Sequence, residues 1–576
     1  METVTGVVQW VNGVVWHNIA LYVVLGVGVL FTAWSGFGQY RALTHGVKVV
    51  RGKFDHKGDP GAISHFQALS TALSATVGLG NIAGVAIAIS LGGPGALFWM
   101  WVVGLVGMAL KMTEVTQAML FRDTSESDNP HGGPMWVCKR GLAQFNPRLA
   151  PIGTIIGVIF CLTLMVSTAT GGNMFQAWNV ADISFTYFGI PQWITGIILM
   201  LGVGAVIVGG IKRIGDVASR IVPFMCVVYL LAGFAVIFLN ITDVPAMFKL
   251  IFTEAFSPSE GTGAFIGGAA GYGFLKGMQR ALFSSEAGQG TAPMAHSAAR
   301  TDEPVREGVV AGLEPFIDTL VVCTLTGMVI LLSGAWNRDP TLAVQSAVDI
   351  SAVTTNGDTV ITDDGFEQWE IRPIRVDVAE SVDASNQMRQ GAVIFAVIEG
   401  HQNAETGMNR HRVFGELQGN DDVGWTAEFD FFEVPPGTQP TLAIDGVYLD
   451  LKGATLTAKS FDRVWDGLGW IVPITVWLFA FSTIISWSYY GEQGIIFLFG
   501  QRFVMPYRVV YCALILVSVQ LIRTQDELDM FSAFGTGMML WANIPIMLIF
   551  GPMAMRAYRD YFRRLDTGEM PENPKA

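Results

Sequence analysis

The stretch Ser74-Ala-Thr-Val-Gly78-Leu-Gly80-Asn81 has a counterpart later in the chain, Ser284-Ser-Glu-Ala-Gly288-Gln-Gly290-Thr291. Both read Ser-x-x-x-Gly-x-Gly, both follow an Ala-Leu pair (Ala72-Leu73 and Ala281-Leu282), and both lie in hydrophobic sequence. Two closely spaced glycines let a helix unwind. At membrane depth an unwound backbone is tolerated only where it is buried in protein or lines a cavity. Gly-interrupted segments at corresponding places in two halves of a chain point to the binding site of a secondary transporter. The competing reading is that small residues merely let helices pack closely.

The surroundings fit a membrane setting. The chain has 576 residues, of which 51% are hydrophobic and only 14% charged, against about 25% charged in soluble domains. Several runs of roughly 20 apolar residues follow one another, which predicts a polytopic helical membrane protein. A membrane β-barrel would instead show alternating segments of about 10 residues. The five cysteines (Cys138, Cys161, Cys226, Cys323, Cys512) have no metal spacing and read as packing residues. The start, Met1 to Trp16, lacks the basic region of a cleavable signal peptide.

Eleven membrane helices are predicted, near 17–37, 66–90, 95–120, 152–177, 191–210, 216–239, 264–299 (broken), 308–334, 466–488, 507–523 and 530–553. Basic residues collect in alternate gaps: Arg41, Lys48, Arg51, Lys53 and Lys57; Arg122, Lys139, Arg140 and Arg148; Lys212 and Arg213; Arg300 and Arg306; Arg502; and Arg556, Arg559, Arg563 and Arg564 in the tail. By the positive-inside rule the N-terminus lies outside and the C-terminus inside, which requires an odd number of spans.

The net charge of −13 is concentrated in one segment. Residues 337–464 carry 21 acidic and 9 basic residues, a net of −12. Runs such as Ala392-Val-Ile-Phe-Ala-Val-Ile398, Trp425-Thr-Ala-Glu-Phe-Asp-Phe431 and Val447-Tyr-Leu-Asp-Leu451 read as short strands between turns. A small, acidic, β-rich extracytoplasmic domain is therefore expected, without a disulfide and with an extracytoplasmic partner possible. The expected division is a first helix and loop (1–63), one half (64–240), the opening of the second (241–336), the insert (337–464), the closing helices (465–555) and a cytoplasmic tail (556–576). With the first helix set aside, ten helices remain as two sets of five. Each set opens on one copy of the motif, and five being odd, the sets enter the membrane from opposite sides. That is a five-plus-five inverted repeat, with substrate and ion near the midplane.

Broken helices expose backbone groups that have no intrahelical partner. Half-helix N-termini suit a carboxylate, whereas carbonyls and hydroxyls suit Na⁺ or an ammonium. Gly78, Gly80, Gly288 and Gly290 let backbone approach a ligand. Asn81 offers an amide oxygen, and Thr76 and Ser284 offer hydroxyls. Gly78-x-Gly80-x-x-x-Gly84 is not a dinucleotide fingerprint, because no βαβ unit surrounds it. Glu286 has three open roles: holding an ammonium, carrying a coupling proton, or capping the following half-helix. Asp318 reads as structural, Lys111 and Glu114 as snorkelling residues, and His131 in His131-Gly-Gly-Pro134 as a turn or gate element rather than a metal ligand.

Phe66 to Arg122, with Gly92-Gly-Pro-Gly-Ala-Leu-Phe-Trp-Met-Trp101, resembles the alanine or glycine:cation symporter family. So do Gly172-Asn-Met-Phe-Gln176, Gly210-Ile-Lys-Arg-Ile214, Leu282-Phe-Ser-Ser-Glu-Ala-Gly-Gln-Gly-Thr-Ala-Pro293, Phe316-Ile-Asp-Thr319 and Phe481-Ser-Thr-Ile-Ile-Ser-Trp-Ser-Tyr-Tyr-Gly491. The resemblance implies a LeuT-type fold and Na⁺-coupled uptake of small neutral amino acids, with H⁺ as the alternative coupling ion. It implies one sodium site at the Ser74 and Val77 carbonyls with the Ser482 or Thr483 hydroxyl, and a second at Thr76 and Asn81. It also implies a carboxylate held at N–H groups around Gly78 and Gly80, and an ammonium held near Phe283 and Glu286. Gln176, Thr483 and Trp487 would line the pocket; the latter two are four apart and share a helix face. The acidic segment departs from the family pattern. Beyond the ion no cofactor is expected, and no nucleic-acid partner. A transporter-like sensor signalling through the insert and an ion channel are the rival functions. No Gly-x-Ser-x-Gly, His-Glu-x-x-His or P-loop points to an enzyme.

Overall fold

In a computed structural model of the chain, which describes residues 2–572 apart from 17, 57, 270, 356–357, 379–387, 405, 421–422, 452, 523–524 and 571, the twin motif sits where two helices break. The last tail residues, 573–576, lie outside the described part. Helix His65–Thr76 starts on a capping box, Ser64 with Gln67, and ends at Val77. The chain resumes at Gly80 with a bend of 49°. Helix Tyr272–Ser285 ends at Glu286, and a short helix, Ala292–His296, follows after Gly290.

Among the described residues seven helices are long and apolar enough to cross a membrane, or up to nine if each bent pair is one span. Gln192–Ile207 is a shorter apolar helix. Phe238, Leu231, Val509 and Leu201 expose more than half of their surface on such helices, as lipid-facing side chains do. The chain is thus a polytopic, mainly helical membrane protein.

Several boundaries differ from the sequence expectation. Residues 2–15 form a helix, Glu2–Val15, that the hydropathy pattern did not reveal. It docks through Asn12 Nδ2 on Met530 O (2.8 Å) and Trp16 Nε1 on Ala533 O (2.9 Å). The helix placed at 152–177 runs on through a π-turn at Thr170–Met174 to Phe188. The one placed at 264–299 begins only at Tyr272. Residues just before it are held instead as a bridge, Ser259 to Gly268.

Among its described residues the acidic segment carries strands in three antiparallel sheets, so the β structure is more substantial than a small insert. The seven-stranded sheet runs Leu342–Val344, Ile374–Val378, Gly424–Phe429, Arg410–Asn420, Ala392–Glu399, Thr441–Leu442, with Tyr448–Leu449 also on Ala392–Glu399. Strand Ala392–Glu399 pairs in register with Arg410–Asn420, Phe395 facing Phe414. Its unbroken apolar run has a physical cause, since both faces are covered. Ile394, Ala396 and Ile398 point into the sheet's own core, and Phe395 and Val397 pack with Tyr448 and Ala264.

Two arginines join this sheet to the helices. Arg412 donates to Ser90 O (3.1 Å) and Ala264 O (2.7 Å), with its guanidinium 4.9 Å from the Phe395 ring centroid. Arg338 donates to Leu449 O (2.6 Å), and burial draws its pKa down to about 10, which leaves it charged at neutral pH. The end of the segment is helical: Gly453–Val464 lies against the first broken helix, with Thr457 Oγ1 on Ile82 O (3.0 Å).

Candidate functional site

Contacts at the two poles set the direction of the broken helices. At one pole Ala62 N donates to Ala298 O and Arg300 N to Ile63 O, both at 2.8 Å. Arg122 closes this pole: its guanidinium donates to Ser297 O, Ala299 O and Pro60 O (2.9, 2.8 and 3.2 Å) and to Thr301 O. The first broken helix starts here and the second ends here. At the opposite pole Arg412 holds Ser90, near the end of the first, and Thr406 O accepts from Ala269 N (2.7 Å), just before the second. The two therefore run antiparallel, and their breaks meet midway.

Glycine is needed at the meeting point. A Cβ on Gly80 would lie 3.1 Å from Ser284 Cα and Cβ, and one on Gly78 would lie 2.7 Å from Thr483 Oγ1. The second break needs left-handed backbone. Gly288 and Gly290 have φ of 84° and 82°, and Glu286, at φ 52°, adopts this region without being glycine. Such a residue stores of order 1–3 kcal/mol of strain and persists only where surroundings hold it. The surroundings here are specific. Gln289 Nε2 donates to Leu282 O (2.9 Å), Asn543 Nδ2 to Gly288 O (2.9 Å), and Gly290 N to Glu114 Oε2 (3.1 Å).

Between the breaks lies a cavity of about 20 Å³, lined by Ala75, Thr76, Gly78, Gly80, Gly171, Gln176, Phe283, Ser284, Glu286, Trp487 and Thr536. That is room for one water-sized occupant, so an amino acid enters only when the walls move apart. Two oxygen acceptors converge on it. Glu286, 3% exposed, accepts from Trp487 Nε1 (3.1 Å) and Thr291 Oγ1 (2.6 Å). Gln176 donates from Nε2 to Gly171 O (3.1 Å) while its buried Oε1 has no hydrogen-bond partner among the described residues. Phe283 is pinned edge-on by Phe175 at 5.6 Å. It also lines a larger cavity of about 360 Å³ with Asn12, Trp16, Gln279 and Arg280, so it borders both spaces.

Beside the cavity, the Ser74 and Ser482–Thr483 segments meet across two helices. Thr483 Oγ1 donates to Ser74 O (2.9 Å) and Ser74 Oγ to Ser482 O (2.5 Å). Val77 is buried next to them. On the other side Asn81 Oδ1 accepts from Gly78 N (2.8 Å). The amide oxygen expected to face an ion and the N–H expected to face a carboxylate are thus bonded to each other. Asn81 Nδ2 faces Asp318 Oδ1 and O (both 3.2 Å), and Ser284 Oγ (3.1 Å) and Thr319 Oγ1 (2.6 Å) also donate to Asp318 Oδ1.

The predicted residues Thr76, Gly78, Gly80, Gln176, Phe283, Glu286 and Trp487 come together in one cavity wall, with Thr483 directly behind Gly78. Gly288 does not. It faces Ile544 and Leu540, where a Cβ would meet their methyl carbons at 3.2 and 3.5 Å. Lys111 and Glu114 do not snorkel: both are buried, with Lys111 Nζ 3.2 Å from Glu314 Oε2. His131 is buried between Gln493 (3.1 Å) and Gln501 (3.2 Å). Sequence reasoning missed Thr536 and Gly171 in the cavity wall, and Gly172 behind the Trp487 ring. A Cβ on Gly172 would stand 2.5 Å from the Trp487 ring. Its presence in the quoted Gly172-to-Gln176 motif was the available signal.

The sequence pattern described as "Sodium:alanine symporter family" matches residues 1–362 and 438–575. The unmatched stretch, 363–437, holds most of the sheet's longer strands. The sodium/alanine symporter AgcS of Methanococcus maripaludis is 34% identical over 504 residues, covering 88% of this chain and 86% of that one. An uncharacterised transporter of Haemophilus influenzae is 30% identical over 572 residues, covering 98% and 97%. The crystal structure of MhsT in complex with L-phenylalanine aligns with a TM-score of 0.44 at 12% identity, covering 87% and 97%. The chain belongs to the sodium:alanine symporter family and is a multi-pass membrane transporter, not an enzyme.

Proposed function

We propose that this protein is a secondary active symporter that couples sodium entry to uptake of a small neutral amino acid, alanine or glycine, by alternating access. The observation that carries the reading is the cavity at the meeting of the two breaks, with Glu286 and the unpartnered Gln176 Oε1 facing a space walled by Trp487. A buried acceptor without a partner is costly, and an ammonium satisfies it. The Trp487 ring limits the side chain to a small one. The substrate carboxylate goes to the N–H groups around Gly80, with Gly78 N–H released from Asn81 when ligand arrives.

Sodium takes the Ser74 and Val77 carbonyls with the Ser482 and Thr483 oxygens. Thr483 Oγ1 and Ser74 O, now bonded to each other, both turn to the ion. A second ion at Thr76 and Asn81 belongs to the same proposal. Because these groups come from two different helices, the ion binds best when the helices are together, and that difference between states is what coupling requires.

In this reading the seven long helices, the bent pairs, Gln192–Ile207 and the helix broken at Glu286 make eleven spans, ten of them a five-plus-five inverted repeat of LeuT type. The N-terminus and the 337–464 domain lie outside and the C-terminus inside. The larger cavity beyond Phe283 is the outer approach, and the Arg122-clamped pole is the closed inner end. The test is uptake of labelled alanine and glycine into proteoliposomes under imposed Na⁺ or H⁺ gradients. Accumulation that follows the Na⁺ gradient is expected; no gradient-dependent accumulation of either amino acid would sink the reading.

A further inference from the structure

The cavity of about 360 Å³ that Phe283 borders has the make-up of a ligand site in its own right. Ligand pockets are mostly apolar clefts of about 300–1,000 Å³ with a few placed polar groups. Asn12, Gly13 and Trp16 supply one wall, from the end of helix Glu2–Val15 and the residue after it. Gln279, Arg280 and Phe283 supply the other, from one face of helix Tyr272–Ser285 ahead of its break. That helix begins beside Thr406 of the acidic segment, so the cavity lies on the insert's side of the break, away from the Arg122 clamp. Two other spaces of similar size, about 410 and 350 Å³, lie among exposed apolar side chains such as Phe238 and Ile474 and have no charged residue in their lining. Those are lipid-facing grooves; the space beside Phe283 is built differently.

Three features set the chemistry of an occupant. Arg280 brings a positive charge to the lining, and a guanidinium carries five N–H donors in a fork that matches a carboxylate. Asn12 Nδ2 is engaged by Met530 O (2.8 Å), while Asn12 Oδ1 is buried with no hydrogen-bond partner among the described residues. A buried acceptor in that state is costly, and an ammonium satisfies it. Trp16 Nε1 is engaged by Ala533 O (2.9 Å), which leaves the indole rings, with Phe283, as apolar wall. A carboxylate, an ammonium and a bulky apolar side chain are together the parts of a large neutral amino acid. The inner cavity, walled by Trp487, takes only a small one.

We infer that this cavity is a second amino-acid site, for a bulky apolar amino acid such as leucine, and that its occupant locks the inner site. The carboxylate lies on Arg280, the ammonium on Asn12 Oδ1 and the side chain between Trp16 and Phe283. Phe283 borders both spaces, so an occupant packed against it holds the ring in place. A small amino acid already inside then cannot leave past that ring, and the Arg122 clamp closes the opposite way out. A bulky amino acid is on this account a brake on uptake rather than a substrate. The proposal rests on the symport reading above only for the identity of the inner occupant.

The experiment uses the purified full chain in sodium. Labelled alanine is bound, and its dissociation into excess unlabelled alanine is followed with and without leucine. Leucine should slow the dissociation severalfold, which a competitor for the inner site cannot do. Leucinol, which lacks the carboxylate, should leave it unchanged. Gly13→Leu fills the cavity from a position whose added Cβ meets nothing within 4 Å, and should abolish the slowing. Arg280→Gln should weaken direct binding of labelled leucine by about tenfold, as loss of a charge-assisted bond does. Dissociation unaffected by leucine, slowing that persists in both variants, or leucine binding that saturating alanine abolishes would each overturn the second site and leave symport standing. If the protein binds no alanine in sodium, the symport reading fails. Direct leucine binding then decides the cavity by itself, and its absence, or its persistence in Gly13→Leu, overturns the site. The measurements on the unmodified protein decide even where a variant does not fold.

Discussion

Gly172→Ala tests the geometry of the Trp487 wall. An added Cβ would stand 2.5 Å from Cγ and Cδ2 of Trp487 and 2.7 Å from its Cβ. Carbon atoms rest at about 3.5–4.0 Å, so the indole must retreat by roughly 1 Å. The retreat displaces Trp487 Nε1 relative to Glu286 Oε1, now 3.1 Å away, and weakens that bond. A bond to a charged acceptor contributes about 1.5–3 kcal/mol, and overpacking of a filled site adds a cost of about 1–3 kcal/mol. If half of the combined loss falls on the substrate-bound state, apparent affinity drops by about tenfold or more, since 1.4 kcal/mol is tenfold. The displaced ring also narrows the space available to a side chain, so alanine should lose more than glycine. The assay is initial uptake against concentration for both amino acids in proteoliposomes, with thermal unfolding to confirm a folded protein. Unchanged apparent affinity for both, in a folded variant, would refute the reasoning.

Three further outcomes follow from the same geometry. Gly78→Ala places a Cβ 2.7 Å from Thr483 Oγ1 and should raise the sodium concentration for half-maximal uptake by about fivefold, one lost hydroxyl ligand being of order 1 kcal/mol; a sodium titration of uptake reads it. Asn81→Ala removes the acceptor of Gly78 N–H and should weaken the dependence of uptake on sodium; unchanged sodium dependence would remove Asn81 from the ion site. Arg412→Ala takes away the bonds to Ser90 O and Ala264 O and should destabilise the sheet's attachment by about 2–4 kcal/mol, seen as earlier protease cleavage within 337–464 while the helices resist.

The breaks were legible in the sequence because glycine leaves a mark there: a Cβ at Gly80 would crowd Ser284, and the positive φ of Gly288 and Gly290 strains other residues. The strand at Ala392 was legible for the opposite reason, an apolar run too short for a span. The clamp was not. Arg122 holds backbone carbonyls at 60 and 297–301, and a carbonyl is the same in every residue, so nothing in those sequences announces an arginine partner. The charges at Lys111 and Glu114 misled for a related reason. A charge near a helix end predicts a snorkelling side chain unless a partner is known, and Glu314 lies on a helix distant in sequence. Gly288 shows the limit of reading by symmetry. It repeats Gly78 in pattern, yet the second break turns it toward Leu540 and Ile544 rather than into the cavity. Helix Glu2–Val15 escaped because its apolar stripe is too short for a span and becomes meaningful only against Met530 and Ala533.

The central claim is that amino acid and sodium bind together at the meeting of the two breaks. Equilibrium binding of labelled alanine to the purified protein, with sodium replaced stepwise by potassium, tests it most directly. Linkage requires that sodium tighten alanine binding and that alanine tighten sodium binding by the same factor, and that Thr483→Val diminish both. Alanine binding that is indifferent to sodium would contradict the account.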